Sequence, residues 1–447
     1  MLNADCRLLN GGRKHFCSAV GSQQSAVLLC LWALVSGPTF AQAQTPAGFR
    51  VLQSQHLTLY TDVPSSPAVD ELPKVFDAAV PQWAAYFGVD PAKVAGWRMR
   101  GFLIGNPQRF RDAGYIPASL PHFKNGFSAG YDLWLNDQPS DYYRRHLLLH
   151  EGTHGFMNTM LGGCGAGWYM EGTAELLGTH LWKDGKLALG VVPRHKDDVP
   201  LWGRVALVKT EIAAGRMRSI DDIVNDAVPT FVDNESYAWC WALATFLDGR
   251  PEYRAKFRGL QKSVADPKFN DAFRRTFADE LPKLRREWLV FAGELEYGVD
   301  PTRSAILEQP VAHMSAVHPK VVIAADQCWQ SSGVRLEAGR KYRIRATGRY
   351  QIAVSTIQGR HTPWECEPGG VTLRYYRGKP LGMLIGAVEP EPPADGRSSA
   401  LLKPRALGLD GFLQPDQTGT LYLRVNDSNA ELGDNVGTLT VEITPIP

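Results

Sequence analysis

Two histidines four residues apart with a glutamate beside the first, His150-Glu151-Gly152-Thr153-His154, are the residues in this sequence best suited to chemistry. On a helix, positions i and i+4 share a face, so both imidazoles can reach one cation. Glu151 then stands beside them, able to take a proton from a water at the ion. Leu147, Leu148 and Leu149 precede the group and Phe156 and Met157 follow it, apolar flanks that predict a buried helix. A zinc hydrolase normally presents three protein ligands and leaves a fourth position open. The third is best sought in Trp168-Tyr169-Met170-Glu171-Gly172-Thr173-Ala174-Glu175, where Glu171 and Glu175 are again four apart on a second predicted helix. The choice for ligand is Glu171, with Glu175 as an acceptor that orients a ligand histidine. The reverse assignment and His180 as a rival ligand are the alternatives.

Such a group needs two helices held face to face on a rigid support. Phe49 to Thr61 alternates apolar and polar residues (Val51, Leu57, Leu59), the period of strands. Pro67 to Phe87 places Leu72, Val75, Phe76, Ala79 and Trp83 at helical spacing. Arg98 to Ile104 reads as a second strand and Ser128 to Leu135 as a third, an exposed edge that could align an extended peptide by main-chain hydrogen bonds. From Tyr142 to Met160 the period is helical, and Gly162-Gly163-Cys164-Gly165-Ala166-Gly167 ends it. That run follows a helix and lacks the Lys-Ser/Thr ending of a phosphate loop, so it reads as a turn. Helical segments dominate from Gly167 to about Leu295, including Ser236 to Leu247 and Lys283 to Glu294.

His150 to His154 followed by Trp168-Tyr169-Met170-Glu171-Gly172 resembles the gluzincin metallopeptidases, whose aminopeptidase branch carries HExxH and a later W-x-x-E-G. The intervening stretch is shorter than in that branch and more similar to the bacterial peptidase-MA-like families. The resemblance covers about Phe49 to Tyr297. It implies zinc on His150, His154 and Glu171, with Glu151 as general base. It also implies Tyr237, in Ser236-Tyr237-Ala238-Trp239, as the hydroxyl that stabilises the tetrahedral oxyanion. No counterpart of the exopeptidase motif that captures a free α-amine is present.

Near Asp300 the character changes to short β-rich runs. Tyr342 to Ala346, Val371 to Tyr376, Leu421 to Val425 and Thr438 to Ile443 read as strands separated by Gly, Pro, Asn and Asp, the pattern of a β-sandwich. Glu389-Pro390-Glu391-Pro392-Pro393 reads as a loop. Trp329-Gln330-Ser331-Ser332-Gly333, Leu421 to Asp427 and Asp434-Asn435-Val436-Gly437-Thr438-Leu439 look like the LecA-type galactose-binding sandwich, over about Val321 to Ile446. Mapped residue by residue, the resemblance implies Asp427, Asp434 and Asn435 as oxygen donors for calcium, which takes six to eight hard oxygens. The segment Gln358 to Gly370 differs from the lectin's sugar-contacting loop. Trp329, Tyr350 and Trp364 read as core.

The N-terminus addresses the compartment. Arg7, Arg13 and Lys14 precede an apolar run from Ala26 to Val35, then Ser36-Gly37-Pro38 and the small residues around Ala41-Gln42-Ala43. This is the order of a secretory signal peptide, too short in its apolar part to span a bilayer. Of seven cysteines, Cys6, Cys17 and Cys30 would leave with it. Cys164, Cys240, Cys328 and Cys366 remain, an even number that permits disulfides. Cys328 with Cys366 would stay within one domain. With 48 basic against 46 acidic residues, no charged surface for nucleic acid is expected. A length of 447 residues exceeds what one core usually supports.

The expected fold class is therefore an α+β zincin-like catalytic domain followed by an all-β jelly-roll or β-sandwich domain. Residues 1–43 are expected as signal, 44–300 as the peptidase domain, 301–319 as linker and 320–447 as the sandwich. The expected function is an exported zinc metallopeptidase, periplasmic or extracellular, acting on peptide or protein and carrying a module suited to a glycan. The rival is a secreted carbohydrate- or surface-binding protein on an inactive zincin scaffold. Intact His150, Glu151, His154 and Glu171 speak against it.

Overall fold

Alternating apolar residues build a five-stranded sheet at the start of the described residues. Its strands are β1 (Arg50–Gln53), β2 (Leu57–Thr61), β3 (Met99–Ile104), β4 (Gly126–Ala129) and β5 (Asp132–Asn136), in the order β1-β2-β3-β5-β4. The inner pairs β2·β3 and β3·β5 are parallel, and the outer β1 and β4 run antiparallel to their neighbours. The computed structural model describes residues 48–226, 233–310, 319–390 and 398–446. The chain divides into two units, Met1–Gln44 and Thr45–Pro447. The signal-peptide reading falls in the first and lies outside the described residues.

Because side chains alternate across a strand, Met99, Leu103, Leu133 and Leu135 share one face and enter the large core, whereas Phe102, Ile104 and Trp134 pack with Phe110 on the other. Helices α1 (Leu72–Phe87) and α2 (Asp141–Phe156) cover the first face. Ser140 caps α2 by accepting from the Tyr143 N–H at 3.2 Å. Residues Tyr142 to Phe156 are buried apart from Arg145, so α2 has almost no solvent face. Close packing there depends on Gly152, where a Cβ would lie 2.6 Å from Trp83 Cη2. Next come α3 (Gly167–Gly178), α4 (Arg204–Ala213), α5 (Asn234–Gly249) and α6 (Leu281–Gly293).

Several expectations change. The Pro67–Phe87 helix is two, Pro67–Asp70 and Leu72–Phe87, joined at Glu71. The expected strand Ser128–Leu135 is a hairpin: Gly130 adopts φ +56°, the chain reverses, and β4, not β5, is the edge. A second hairpin, His180–Lys183 with Lys186–Leu189, interrupts the expected helical stretch and turns through Asp184-Gly185, both at positive φ. Glu389 and Pro390 end the strand Leu384–Pro390 rather than a loop, and 391–393 lie outside the described residues. Cys164, Cys240, Cys328 and Cys366 are all free and buried, so no disulfide joins them. Cys328 lies 3.7 Å from Glu294 Oε2 and Cys366 3.8 Å from the Gly382 carbonyl.

The C-terminal region is β-rich as expected. Two four-stranded antiparallel sheets face each other. One contains Lys320–Ala324, Tyr342–Thr347, Asp410–Leu413 and Thr438–Pro445; the other contains Gln330–Leu336, Leu384–Pro390, Arg405–Ala406 and Gly419–Val425. Ile323, Ile344 and Val441 meet Leu336, Leu384 and Leu423 in a shared core. Trp329 and Tyr350 are buried and Trp364 packs at the margin. A small cluster joins this region to the first: Val290 of α6 packs with Ile306, Trp329, Tyr422 and Leu432. The described part of the expected linker is thus packed, with Ser304 and Ile306 buried.

Candidate metal centre

Helix α2 places His146, His150, Glu151 and His154 inside the protein, where unpaired polar groups are costly. The three histidines face α3, which brings Glu171 and Glu175 to them, both buried. His150 Nε2 and His154 Nε2 are 3.0 Å apart, and Glu171 Oε2 lies 3.2 Å from the first and 3.4 Å from the second. Ligands at about 2.0–2.1 Å from a tetrahedral zinc would be separated by about 3.3 Å, so this triangle fits one such ion. Glu171 Oε2 is buried without a hydrogen-bond partner, as a ligand oxygen facing a cation would be. Two nitrogens and one oxygen suit zinc chemistry.

Burial alone would raise the Glu171 carboxyl, but the two histidines more than reverse this and draw it to about 2. Burial raises the Glu151 carboxyl, with His150 and His154 opposing. Glu151 lies against the edge strand: a Cβ on Gly126 of β4 would stand 2.6 Å from Glu151 Oε1. Main chain that could receive an extended peptide therefore borders the carboxylate.

Glu175 lies behind the triangle. Its Oε1 is 3.5 Å from His150 Nδ1 and its Oε2 3.5 Å from His146 Nε2. Arg204 Nε and Nη2 donate to its two oxygens at 3.0 and 2.9 Å. Burial works to raise the Glu175 carboxyl, yet Arg204 and His146 hold it well below its ordinary value. Tyr237, in the first turn of α5, sets its ring 6.1 Å from that of His150. Burial, then Glu171 and Glu151, raise its hydroxyl above the usual phenol value, so it stays protonated.

His180 stands apart from the triangle. Its Nδ1 faces the Gly178 carbonyl at 2.8 Å, Arg145 Nε donates to its Nε2 at 3.3 Å, and it stacks on Tyr142. His146 and Arg204 are the residues missed by sequence reasoning. The i, i+4, i+8 series His146, His150, His154 was a usable signal for the first. Nothing in the sequence marked Arg204. Among the described residues, the groups of His, Cys, Asp and Glu donors close enough to share an ion are His150–His154–Glu171 and His146–His150–Glu175.

The residues assigned to calcium lie in the C-terminal sandwich. Asn435 Nδ2 donates to Asp427 Oδ2 at 2.9 Å, bringing those two together. Asp434 Oδ2 instead accepts from the Val354 N–H at 3.3 Å. The loop holding Asp427 is buried against the first region: Arg424 and Asn429 donate to Glu294 Oε2 at 2.8 and 2.9 Å, and Ser428 Oγ donates to Glu296 Oε1 at 2.8 Å.

No family model and no curated protein matches this chain. Among solved structures, the EclA N-terminal domain, a PllA-like lectin, aligns at 18% identity and a TM-score of 0.21, covering 30% of this chain and 100% of that one. IMPa from Pseudomonas aeruginosa, solved in complex with an O-glycopeptide, aligns at 14% identity and a TM-score of 0.16. That alignment covers 57% of this chain but only 25% of the other. Overlays of this quality decide neither fold nor activity.

Proposed function

We propose that the chain is an exported zinc metallopeptidase of gluzincin type, with residues 44–300 catalytic and 320–447 an appended sandwich. The observation that carries this reading is the buried triangle of His150 Nε2, His154 Nε2 and Glu171 Oε2, with edges of 3.0–3.4 Å. These three residues would hold the ion, and Glu175 would orient His150 from behind. Zinc bound there supplies Lewis acidity toward a substrate carbonyl and lowers the pKa of water. Glu151, with its carboxyl raised by burial, accepts the proton of the attacking water and passes it to the leaving amine. Tyr237 offers its O–H to the developing oxyanion, a contribution on the order of 3 kcal/mol where such donors have been removed. The edge strand β4 aligns the peptide beside Glu151. Export rests on the charged, apolar and small-residue order of residues 1–43.

In this reading the sandwich either binds a glycan or serves only as a scaffold. Its loop after Val425 packs against Glu294 and Glu296, and Asp427 and Asn435 are engaged with each other. Calcium and glycan binding belong to the lectin resemblance alone.

Substituting Glu151→Gln tests the catalytic reading. The variant should bind about one zinc per chain and cleave a casein-like substrate at least 100-fold more slowly, the scale of general-base catalysis. Full activity in that variant overturns the assignment. A stable wild-type protein that takes no zinc but retains polysaccharide would favour the binding-protein rival.

A further inference from the structure

Two groups of potential donors share His150, and on distance alone either could hold an ion. What separates them is Arg204. Its guanidinium grips Glu175 with one N–H to each oxygen, at 3.0 and 2.9 Å, and both side chains are buried. A two-point pair of this kind occupies the carboxylate and sets a fixed positive charge beside it. The group His146–His150–Glu175 is therefore unsuited to a second cation. It is suited to holding a ligand in place: Glu175 Oε1 faces His150 Nδ1 at 3.5 Å, while His150 Nε2 points into the triangle. That distance is at the outer limit of a hydrogen bond, and such contacts commonly shorten when a site is loaded.

The same guanidinium reaches the other side of the site. Arg204 Cζ lies 5.6 Å over the ring of Tyr237, the residue assigned to the oxyanion. Arg204 opens α4 directly after Gly203, which takes φ +59° and sets where the helix starts. One side chain thereby links α4 to the Glu175 helix α3 and to the Tyr237 turn of α5.

We propose that Arg204 is the positioning residue of this centre: it clamps Glu175 so that His150 presents Nε2 to a single ion, and it braces Tyr237 at the same time. The proposal rests on the zinc reading above.

The test compares the wild-type chain with R204M, R204K and E175Q. Zinc affinity is read by competition with a chromogenic chelator, ligand geometry by the visible spectrum of the cobalt-loaded protein, and kcat and KM on a peptide substrate. R204M should bind one ion about 10–100-fold more weakly, the usual effect of losing an outer partner of a metal ligand. Its cobalt bands should shift, and kcat should fall with KM within about twofold. R204K keeps the charge but loses the two-point grip, so it should recover part of the affinity and little of the wild-type spectrum. E175Q should resemble R204M, and the double variant should add little, because both act through one contact. If R204M does not fold, R204K carries the test. Wild-type affinity and spectrum in R204K overturn the proposal while leaving the zinc reading intact. A second ion in the wild-type chain also overturns it. A wild-type chain that takes no zinc overturns both.

Discussion

His150 is the most constrained residue of the centre, with Nε2 turned to His154 and Glu171 and Nδ1 to Glu175. This set was legible as i, i+4 spacing on two helices, since that spacing places residues on one face. Arg204 was not, because nothing periodic relates it to Glu175, 29 positions earlier. His180 shows the opposite case, a histidine near the site that is spent structurally. Burial draws its pKa down to about 3, with the Gly178 carbonyl opposing and His146 and Arg145 assisting. Above pH 6.5 it is neutral in both states and its contribution to stability is complete. As pH falls from about 6.5 toward 3, the unfolded chain takes up a proton that the folded one refuses. Stability therefore declines by up to about 1.4 kcal/mol per pH unit in that window. Urea unfolding from pH 7 to 4 should show a shallower acid slope for His180→Gln than for wild type. Parallel slopes would remove His180 as the cause.

Among the elements, the approach of β4 to α2 bears most directly on the proposed hydrolysis. Gly126 lets the strand backbone lie against Glu151, and an added Cβ would stand 2.6 Å from its Oε1. Gly126→Ala should therefore push the carboxylate or the strand aside. We expect peptide hydrolysis to fall about 100-fold, the scale associated with a shift of about 1 Å at a reacting group. Zinc binding and the thermal midpoint should change little, because the ligands lie on α2 and α3. Unaltered hydrolysis would show that the strand does not set the position of Glu151. Apolar alternation could not distinguish one long strand from the β4–β5 hairpin. Both give period two, and the reversal hangs on the single left-handed residue Gly130.

For the molecule as a whole, the two regions are joined by a buried ionic contact. Arg424 donates to Glu294 Oε2 at 2.8 Å, with Asn429 and Cys328 closing around the same oxygen. Removing one partner of such a pair leaves a buried charge exposed to no solvent, a loss of about 3–5 kcal/mol. Arg424→Met should lower stability by that amount and split one calorimetric transition into two, with the sandwich melting first. A single transition at the wild-type temperature would refute this role. The same contact sets the loop that holds Asp427 against the first region. Whether such a loop faces solvent or a neighbouring region is not encoded in its own residues.

By itself the sequence determined the chemistry on offer: two histidines and two glutamates at helical spacing, a β-rich C-terminal third, and a nearly neutral charge. Those features are local, because a periodic pattern specifies a face. Only the tertiary structure decided which carboxylate meets the histidines and which is clamped by Arg204, that the edge strand is β4, and that Asp427, Ser428 and Asn429 are buried. It likewise decided that all four described cysteines stay free. Each of these depends on residues distant in sequence meeting in one buried place, where burial makes every polar group find a partner.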